Sequence, residues 1–323
     1  MQRQTHVQNE SLPGSNKYYG EAYAPGHITG FFTIHISEDP VFTGSKGAGI
    51  CLEAGVTTRV TIRKSDKAEF TLLWNDMPLS DSKVSKSVLR RFFDPNTRLS
   101  IVVEQSSILP LNYGYGVSGA SALSLALAIN KALGSPLPRD KVGEIAHLAE
   151  VENLTGLGDV SAQMVGGFEV RVVPGAPTVG KIQSLHNPEE YLIITTPVKP
   201  IPTNKMISDH FVKINEQGEI AISSFMKSPT IERFIELSRS FWENIWSIDI
   251  EMAKVLKKYE LFGIGLVSLK KGLVYGLIHE DDVEKVLGRI SQKTSRMELP
   301  LLIHDPSIGL PIIATKISSR GAY

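Results

Sequence analysis

The segment Ala120–Leu133, ASALSLALAINKAL, is apolar on nearly every side of a helix, and Gly134 and Pro136 follow it as a helix stop. A helix without a polar stripe has to be covered on several faces. It therefore predicts the centre of a domain and obliges other elements to wrap around it. What precedes it is equally constraining. LPLNYGYGVSGAS sets Gly114, Gly116 and Gly119 ahead of and inside the helix start. Glycines there allow close backbone approach, and the free N–H groups of a helix N-terminus suit an anion.

The rest of the chain alternates short β-rich runs with helical ones, which predicts mixed α and β structure. Strands are expected at Ile50–Lys64, at Ala68–Trp74 and from Leu99, with helices at Ser80–Phe93 and Arg139–Asn153. The glycine-rich segment TGLGDV ends the second of these as a turn. Further on, Tyr191–Val198 reads as a strand, Thr230–Trp246 and Glu251–Tyr259 as helices, and Leu261–Ile278 as a glycine-containing strand region. A helix over Asp281–Ser291 and an extended run over Leu299–Ala314 complete the pattern. At 323 residues about two domains are expected, with a boundary near residue 190 ahead of the Pro-rich KPIPTN. Residues 1–20 read as a polar, loosely ordered tail.

Charge excludes some partners. Thirty-four Lys and Arg balance thirty-four Asp and Glu, so there is no global pull toward nucleic acid or anionic lipid. No stretch reaches the roughly 18 uncharged apolar residues of a membrane span, and no secretory leader opens the chain, so a soluble cytoplasmic protein without membrane or nucleic-acid partners is expected. The single cysteine, Cys51, rules out an internal disulfide and reads as a small buried hydrophobe. His210, His279 and His304 show no ligand spacing, so no zinc site is expected. Phe241, Trp242 and Trp246 fall at helical spacing and read as core or interface.

Gly114, Gly116 and Gly119 also spell G-x-G-x-x-G, with Asp140 about twenty residues on. A dinucleotide fold requires that acid at the end of a second hydrophobic strand, whereas Asp140 follows GSPLPR and opens a helix. The run lacks the Lys-Ser/Thr of a P-loop, and a tight loop before a core helix is the purely structural alternative.

Three segments together carry more information than any one of them. The Pro, Gly and Ser118-Gly119-Ala120 pattern resembles the second motif of the GHMP kinases, although Tyr115 and Val117 depart from it. AYAPGHITGFF (residues 22–32) looks like that superfamily's N-terminal substrate motif, and TGLGDVSAQMVGG (residues 155–167) is similar to the segment that carries its catalytic Asp. Within the superfamily the resemblance is nearest to the archaeal pantoate kinases, with Pro25–Phe32, Gly44–Ile50, Ser118–Ala120, Thr155–Gly167 and Arg171–Gly175 matching over most of the first 180 residues. The third glycine-rich motif is at best Phe262–Ser268, which departs from the pattern.

The resemblance implies an α+β, two-domain GHMP kinase fold. Residues 21–190 would form a part like domain 2 of ribosomal protein S5, and residues 191–323 a ferredoxin-like α/β sandwich. It implies transfer of the γ-phosphate of ATP, with Mg²⁺, to the 4-hydroxyl of pantoate in coenzyme A synthesis; a homodimer is the candidate assembly, which the sequence itself does not fix. Homoserine, shikimate and mevalonate are the rival acceptors, and a non-catalytic metabolite-binding homologue is the rival class. Phosphoryl transfer needs stabilised phosphate charge, a divalent metal and a group that meets the hydroxyl proton. By the resemblance Ser118, Glu150 and Asp159 form that catalytic set, with Glu150 and Ser118 on the metal. Glu152 is the rival ligand and Ser121 the fallback serine, while a turn or capping Asp is the structural alternative for Asp159. Gly114, Gly116, Ser118, Gly119, Ala120 and Ser121 would bind ATP. Arg171, a cation in the apolar run FEVRVV, would take the acceptor carboxylate, with a salt bridge to Glu169 as the alternative. His27 and Lys46 are the further substrate donors; a structural histidine and a surface lysine are the plainer readings.

Overall fold

The computed structural model describes residues 17–80, 82–185, 190–290 and 298–323. In chain order the first elements are β1 (Lys17–His35), β2 (Gly44–Lys64), β3 (Glu69–Trp74), β4 (Met77–Pro78), α1 (Lys83–Phe92), β5 (Leu99–Ser106), α2 (Val117–Ala132), α3 (Arg139–Glu152), α4 (Asp159–Val165), β6 (Phe168–Val173) and β7 (Lys181–Ser184). They are followed by β8 (Tyr191–Pro197), α5 (Thr203–Phe225), α6 (Ile231–Ile245), α7 (Ile250–Phe262), β9 (Leu266–Lys270), β10 (Leu273–His279), α8 (Val283–Ile290), β11 (Leu301–His304) and β12 (Pro311–Lys316).

Two sheets organise these elements, and the architecture is α+β. Strands β1 to β7 build the first in the order β4-β3-β5-β2-β6-β7, with β1 along the free side of β2. Only the β3–β5 pair is parallel. Strands β8 to β12 build the second, β11-β12-β8-β10-β9, antiparallel throughout.

The apolar helix α2 sits among β1, β2, α1, α3 and α4, and 13 of its 16 residues are buried. Burying each of its large side chains, such as Leu123, Leu125 and Ile129, contributes about 1.5–3 kcal/mol. Its serines are tolerated inside because they are bonded: Ser124 pairs with Thr58 at 2.6 Å, and Ser121 donates to Gln105 at 2.7 Å, which in turn donates to Thr58 at 2.9 Å. Strand β1 presses so closely on α2 that a Cβ at Gly20 would lie 2.0 Å from the Ala128 carbonyl oxygen.

The two sheets share one continuous apolar core. Phe31 and Phe168 from the first meet Phe225 and Phe234 from α5 and α6, with ring centroids 5.1–5.9 Å apart. The chain end then returns to the first sheet, where Leu52 bridges Ile317 and Tyr23 exchanges two backbone hydrogen bonds with Tyr323. Among the described residues no helix is long and apolar enough to cross a membrane.

Several expectations need correction. Residues 1–16 of the expected tail lie outside the described residues, and Lys17–Gly20 open β1. The motif at Ala22–Phe32 is part of that strand, whose bulges at Pro25/Gly26 and Thr29/Phe31 break the alternation a sequence reading relies on. The TGLGDV turn ends at Gly158, and Asp159 begins α4. Leu261–Ile278 divides into the end of α7, β9, a tight turn and β10. Helix α8 runs over Val283–Ile290 after a 3₁₀ turn, and Ser291 is outside the described residues. The expected boundary near residue 190 falls in the β7–β8 connection. Helix α5 had no counterpart in the sequence reading. Its buried residues Met206, Ile214, Gly218, Ala221 and Phe225 form a sparse stripe, and Gly218 is there because a Cβ would meet the Phe32 carbonyl oxygen at 2.1 Å.

Gly20→Ala tests the β1–α2 contact. It should destabilise the protein by about 1–3 kcal/mol through overpacking against backbone, measured as a lower denaturant midpoint.

Candidate active site

A cleft opens where the loop before α2, the α3–α4 loop and the β9–β10 turn converge. Gly114, Gly116 and Ser118 line it from the first loop. Gly116 caps α2 with φ +63°, a left-handed conformation that excludes most side chains, and no side chain caps the helix there. The first-turn N–H groups of α2 therefore lie at the cleft wall with the positive end of the helix dipole.

Directly behind Ser118 lies Glu150. Ser118 Oγ donates to Glu150 Oε1 at 2.5 Å, and Thr155 Oγ1 donates to the same oxygen at 2.7 Å. The other oxygen, Oε2, is buried without a partner. Burial pushes the Glu150 carboxyl up to about 7 against the pull of the two hydroxyls. A Cβ at Gly156 would come 2.4 Å from Glu150 Oε2 and 3.7 Å from Asp159 Oδ2, so the two carboxylates face the same glycine. An orphaned carboxylate oxygen beside a hydroxyl is an oxygen-only donor set, which fits Mg²⁺. Among the described residues no cluster of three or more acidic, His or Cys side chains surrounds that point. A hard cation there would fill its sphere with phosphate oxygens and water.

Asp159 faces the cleft at the start of α4. Its Oδ1 lies 2.7 Å from His27 Nδ1, 3.4 Å from the donating Thr29 hydroxyl and 4.0 Å from Lys270 Nζ. Burial alone would raise its carboxyl; Lys270, His27 and Arg171 outweigh that and hold it well below the usual carboxylate range. His27 Nε2 lies 3.0 Å from Glu169 Oε1, and Arg171 Nη1 donates to the same oxygen. Burial lowers Lys270, whose Nζ also donates to the His27 carbonyl at 3.3 Å. Lys271, lowered by burial to about 8, donates to Thr203 at 2.5 Å.

The structure thus brings Ser118, Glu150, Asp159, Gly114, Gly116 and His27 together, but alters several expected roles. Both His27 nitrogens are engaged by carboxylates, so the buried ring has no free nitrogen for a substrate. Arg171 makes the expected alternative, the salt bridge to Glu169, while its Nε is buried and unpartnered. It lines a second hollow that meets the cleft at Ser45 and Gly158. Lys46 does not line either: alternation along β2 turns Ser45 to the cleft, whereas Lys46 acts electrostatically on His35. Gly119 packs against Asp159 and Gln163, Ala120 is fully buried, and Ser121 is bonded to Gln105, so none of the three lines the cleft. Glu152 faces away and is held as an anion by Ser87 and Arg91. Trp242 is a core residue and also forms part of the cleft floor. Cys51 is buried, as its type suggests.

Sequence reasoning missed Lys270, Lys271, Thr155 and the dual role of Glu169. A signal for the lysines existed: two charges interrupt LVSLKKGLVYGL, a run otherwise apolar enough for a buried strand pair.

Residues 82–167 match the model of the GHMP kinases N terminal domain. A pantoate kinase of Thermococcus kodakarensis is 30% identical over 286 residues, covering 86% of this chain and 93% of its own. A pantoate kinase of Methanocaldococcus jannaschii is 35% identical over 236 residues, covering 72% and 83%. A solved structure described as a phosphotransferase related to the CoA biosynthesis pathway superposes with TM-score 0.80 at 25% identity, over 94% of this chain and 98% of that one. These matches extend over most of the chain, which belongs to the pantoate kinase family of the GHMP kinases.

Proposed function

We propose that this cleft transfers the γ-phosphoryl group of ATP to the primary 4-hydroxyl of pantoate, giving 4-phosphopantoate and ADP for coenzyme A synthesis. The observation that carries the reading is Asp159. It is an ionised carboxylate at the cleft wall, beside the N-terminus of α2 and facing the same glycine as the unpartnered oxygen of Glu150. The family membership and the names of the relatives support the acceptor.

In this reading the free N–H groups at Gly116–Ser118 and the Ser118 hydroxyl receive the triphosphate, whose charge suits the helix end. Glu150 and Ser118 would hold Mg²⁺, which when bound neutralises charge on the β- and γ-phosphates. Asp159 Oδ2 accepts a hydrogen bond from the acceptor hydroxyl and aligns it with the γ-phosphorus. As the new O–P bond forms, the bond between the γ-phosphorus and the β–γ bridging oxygen breaks, ADP leaves, and the hydroxyl proton passes to Asp159 and on to solvent. The depressed proton affinity of Asp159 makes it an orienting group first and a proton acceptor late, which suits a loose transition state that needs little nucleophile activation. The acceptor carboxylate would lie toward Ser45 and the unpartnered Nε of Arg171. Lys270, close to Asp159, adds positive charge beside the transferring group.

The direct test incubates the protein with Mg-ATP and, separately, pantoate, homoserine, shikimate or mevalonate, and follows ADP. Pantoate-dependent ADP is the expected result; release with a different acceptor alone would overturn the specificity, and silence across the panel would overturn the kinase reading. Asp159→Ala should lower kcat by about 10²–10⁴-fold while ATP binding, measured by titration calorimetry, stays within a few-fold.

Glu150→Gln should raise the Mg²⁺ concentration needed for half-maximal rate, whereas Glu152→Gln should leave it unchanged. The Glu150 variant has a second expected signature. A carboxyl raised on folding contributes stability that is full below its unfolded value and lost as pH rises through about 7. Without Mg²⁺, Glu150→Gln should therefore melt higher than the wild type at pH 8, and the gap should close toward pH 5.

A further inference from the structure

Glu169 is fully buried between two donors. Its Oε1 accepts from Arg171 Nη1 and lies 3.0 Å from His27 Nε2, while His27 Nδ1 lies 2.7 Å from Asp159 Oδ1. The fold makes room for this contact by a close approach: a Cβ at Gly49 would sit 2.2 Å from His27 Nε2 and 2.8 Å from Glu169 Oε1. Nothing larger than glycine leaves the ring and the carboxylate in hydrogen-bond distance.

The proton count at the ring follows from the partners. An ionised carboxylate only accepts, and the Arg171 guanidinium is permanently charged, so Glu169 pairs with it as an anion. Lys270 and Arg171 likewise favour the anion at Asp159. Each ring nitrogen of His27 therefore faces an acceptor. Either neutral tautomer would set a lone pair against a carboxylate oxygen; only the imidazolium satisfies both. The other groups that face this array are Lys270 from β9, Thr29 from β1 and the buried thiol of Cys51 from β2, which burial keeps protonated. Thr29 donates its hydroxyl proton to Asp159 Oδ1 and so offers no donor to a bare Nδ1.

We propose that Glu169 is a positioning residue for the phosphoryl transfer. It holds His27 doubly protonated against Asp159 Oδ1, which leaves Asp159 Oδ2 turned to the acceptor hydroxyl. The proposal rests on the reading of Asp159 given above. It also ties the orienting carboxylate to the acceptor side of the site, because the same Glu169 oxygen anchors Arg171. A merely structural Glu169, present only to neutralise Arg171, would predict no link between its charge and the orientation of Asp159 through His27.

The test uses the full-length enzyme with saturating Mg-ATP and pantoate. Glu169→Gln keeps the shape and removes the charge. It should lower kcat about tenfold or more and move the alkaline fall of kcat to lower pH, since the imidazolium loses one of its two anions. Glu169→Asp, which keeps the charge, should return the alkaline limb toward its original position. Independently of activity, ¹⁵N NMR of the histidine rings, with the His27 signals assigned by His27→Gln, should show both His27 nitrogens protonated at pH 7 in the wild type and a neutral ring at that pH in Glu169→Gln. A neutral His27 in the wild type, or an unmoved alkaline limb in a folded Glu169→Gln, would overturn the proposal. If that variant does not fold, the wild-type spectrum decides alone. Failure of the underlying reading would look different: Asp159→Ala would keep its turnover whatever the His27 spectrum showed.

Discussion

A half-buried carboxylate at a cleft wall is held ionised by cations that face it closely, and Asp159 has them from three different elements: His27 on β1, Arg171 on β6 and Lys270 on β9. Two of these strands belong to the first sheet and one to the second. The charge on Asp159 therefore depends on the two sheets meeting at one point. The shared aromatic contact of Phe31 and Phe168 with Phe225 and Phe234 holds that meeting, and the return of the chain end to Tyr23 and Leu52 closes it. Packing far from the chemistry thus sets the electrostatics within it.

The same economy explains the unsatisfied groups. Glu150 Oε2, Glu169 Oε2 and Arg171 Nε are buried without hydrogen-bond partners; Arg171 lines the hollow beside the cleft, and Glu150 and Glu169 are bonded to the lining residues Ser118 and Arg171. Each costs folding free energy on the order of 1–3 kcal/mol, and charged groups cost more. Such costs are usual where a site is shaped for a ligand that will satisfy them. Glu150 illustrates the compromise: its carboxyl, raised by burial, is poorly matched to the protein alone and well matched to a cation.

Much of this was legible in the chain, for physical reasons that differ from residue to residue. The burial of α2 followed from the absence of a polar face, and the helix ends followed from Gly134 and the glycines before it. Glu150 and Glu152 lie two residues apart on α3, so they must point to different sides of the helix; which side met the cleft was not readable, because that depends on where Ser118 packs. Ser45 lines the cleft and Lys46 does not, because one residue of register decides which face of a strand a side chain takes, and GSKGAG did not read as a strand. Lys270 and Lys271 showed only as two charges in an apolar run and could not be placed at a site, since Asp159, whose charge acts on both, is distant in sequence at the start of α4. Helix α5 was missed because a glycine inside it weakens the helical signal while serving a close approach to β1.

The claim on which all of this turns is spatial: one cleft presents the acceptor hydroxyl to Asp159 and the γ-phosphate to the α2 N-terminus and Ser118. A crystal structure with pantoate, Mg²⁺ and a non-hydrolysable ATP analogue measures it most directly. The account predicts the 4-hydroxyl within hydrogen-bond distance of Asp159 Oδ2 and in line with the γ-phosphorus, with the acceptor carboxylate on the Arg171 side. A nucleotide bound away from the α2 N-terminus, or pantoate bound with its hydroxyl remote from Asp159, would contradict it.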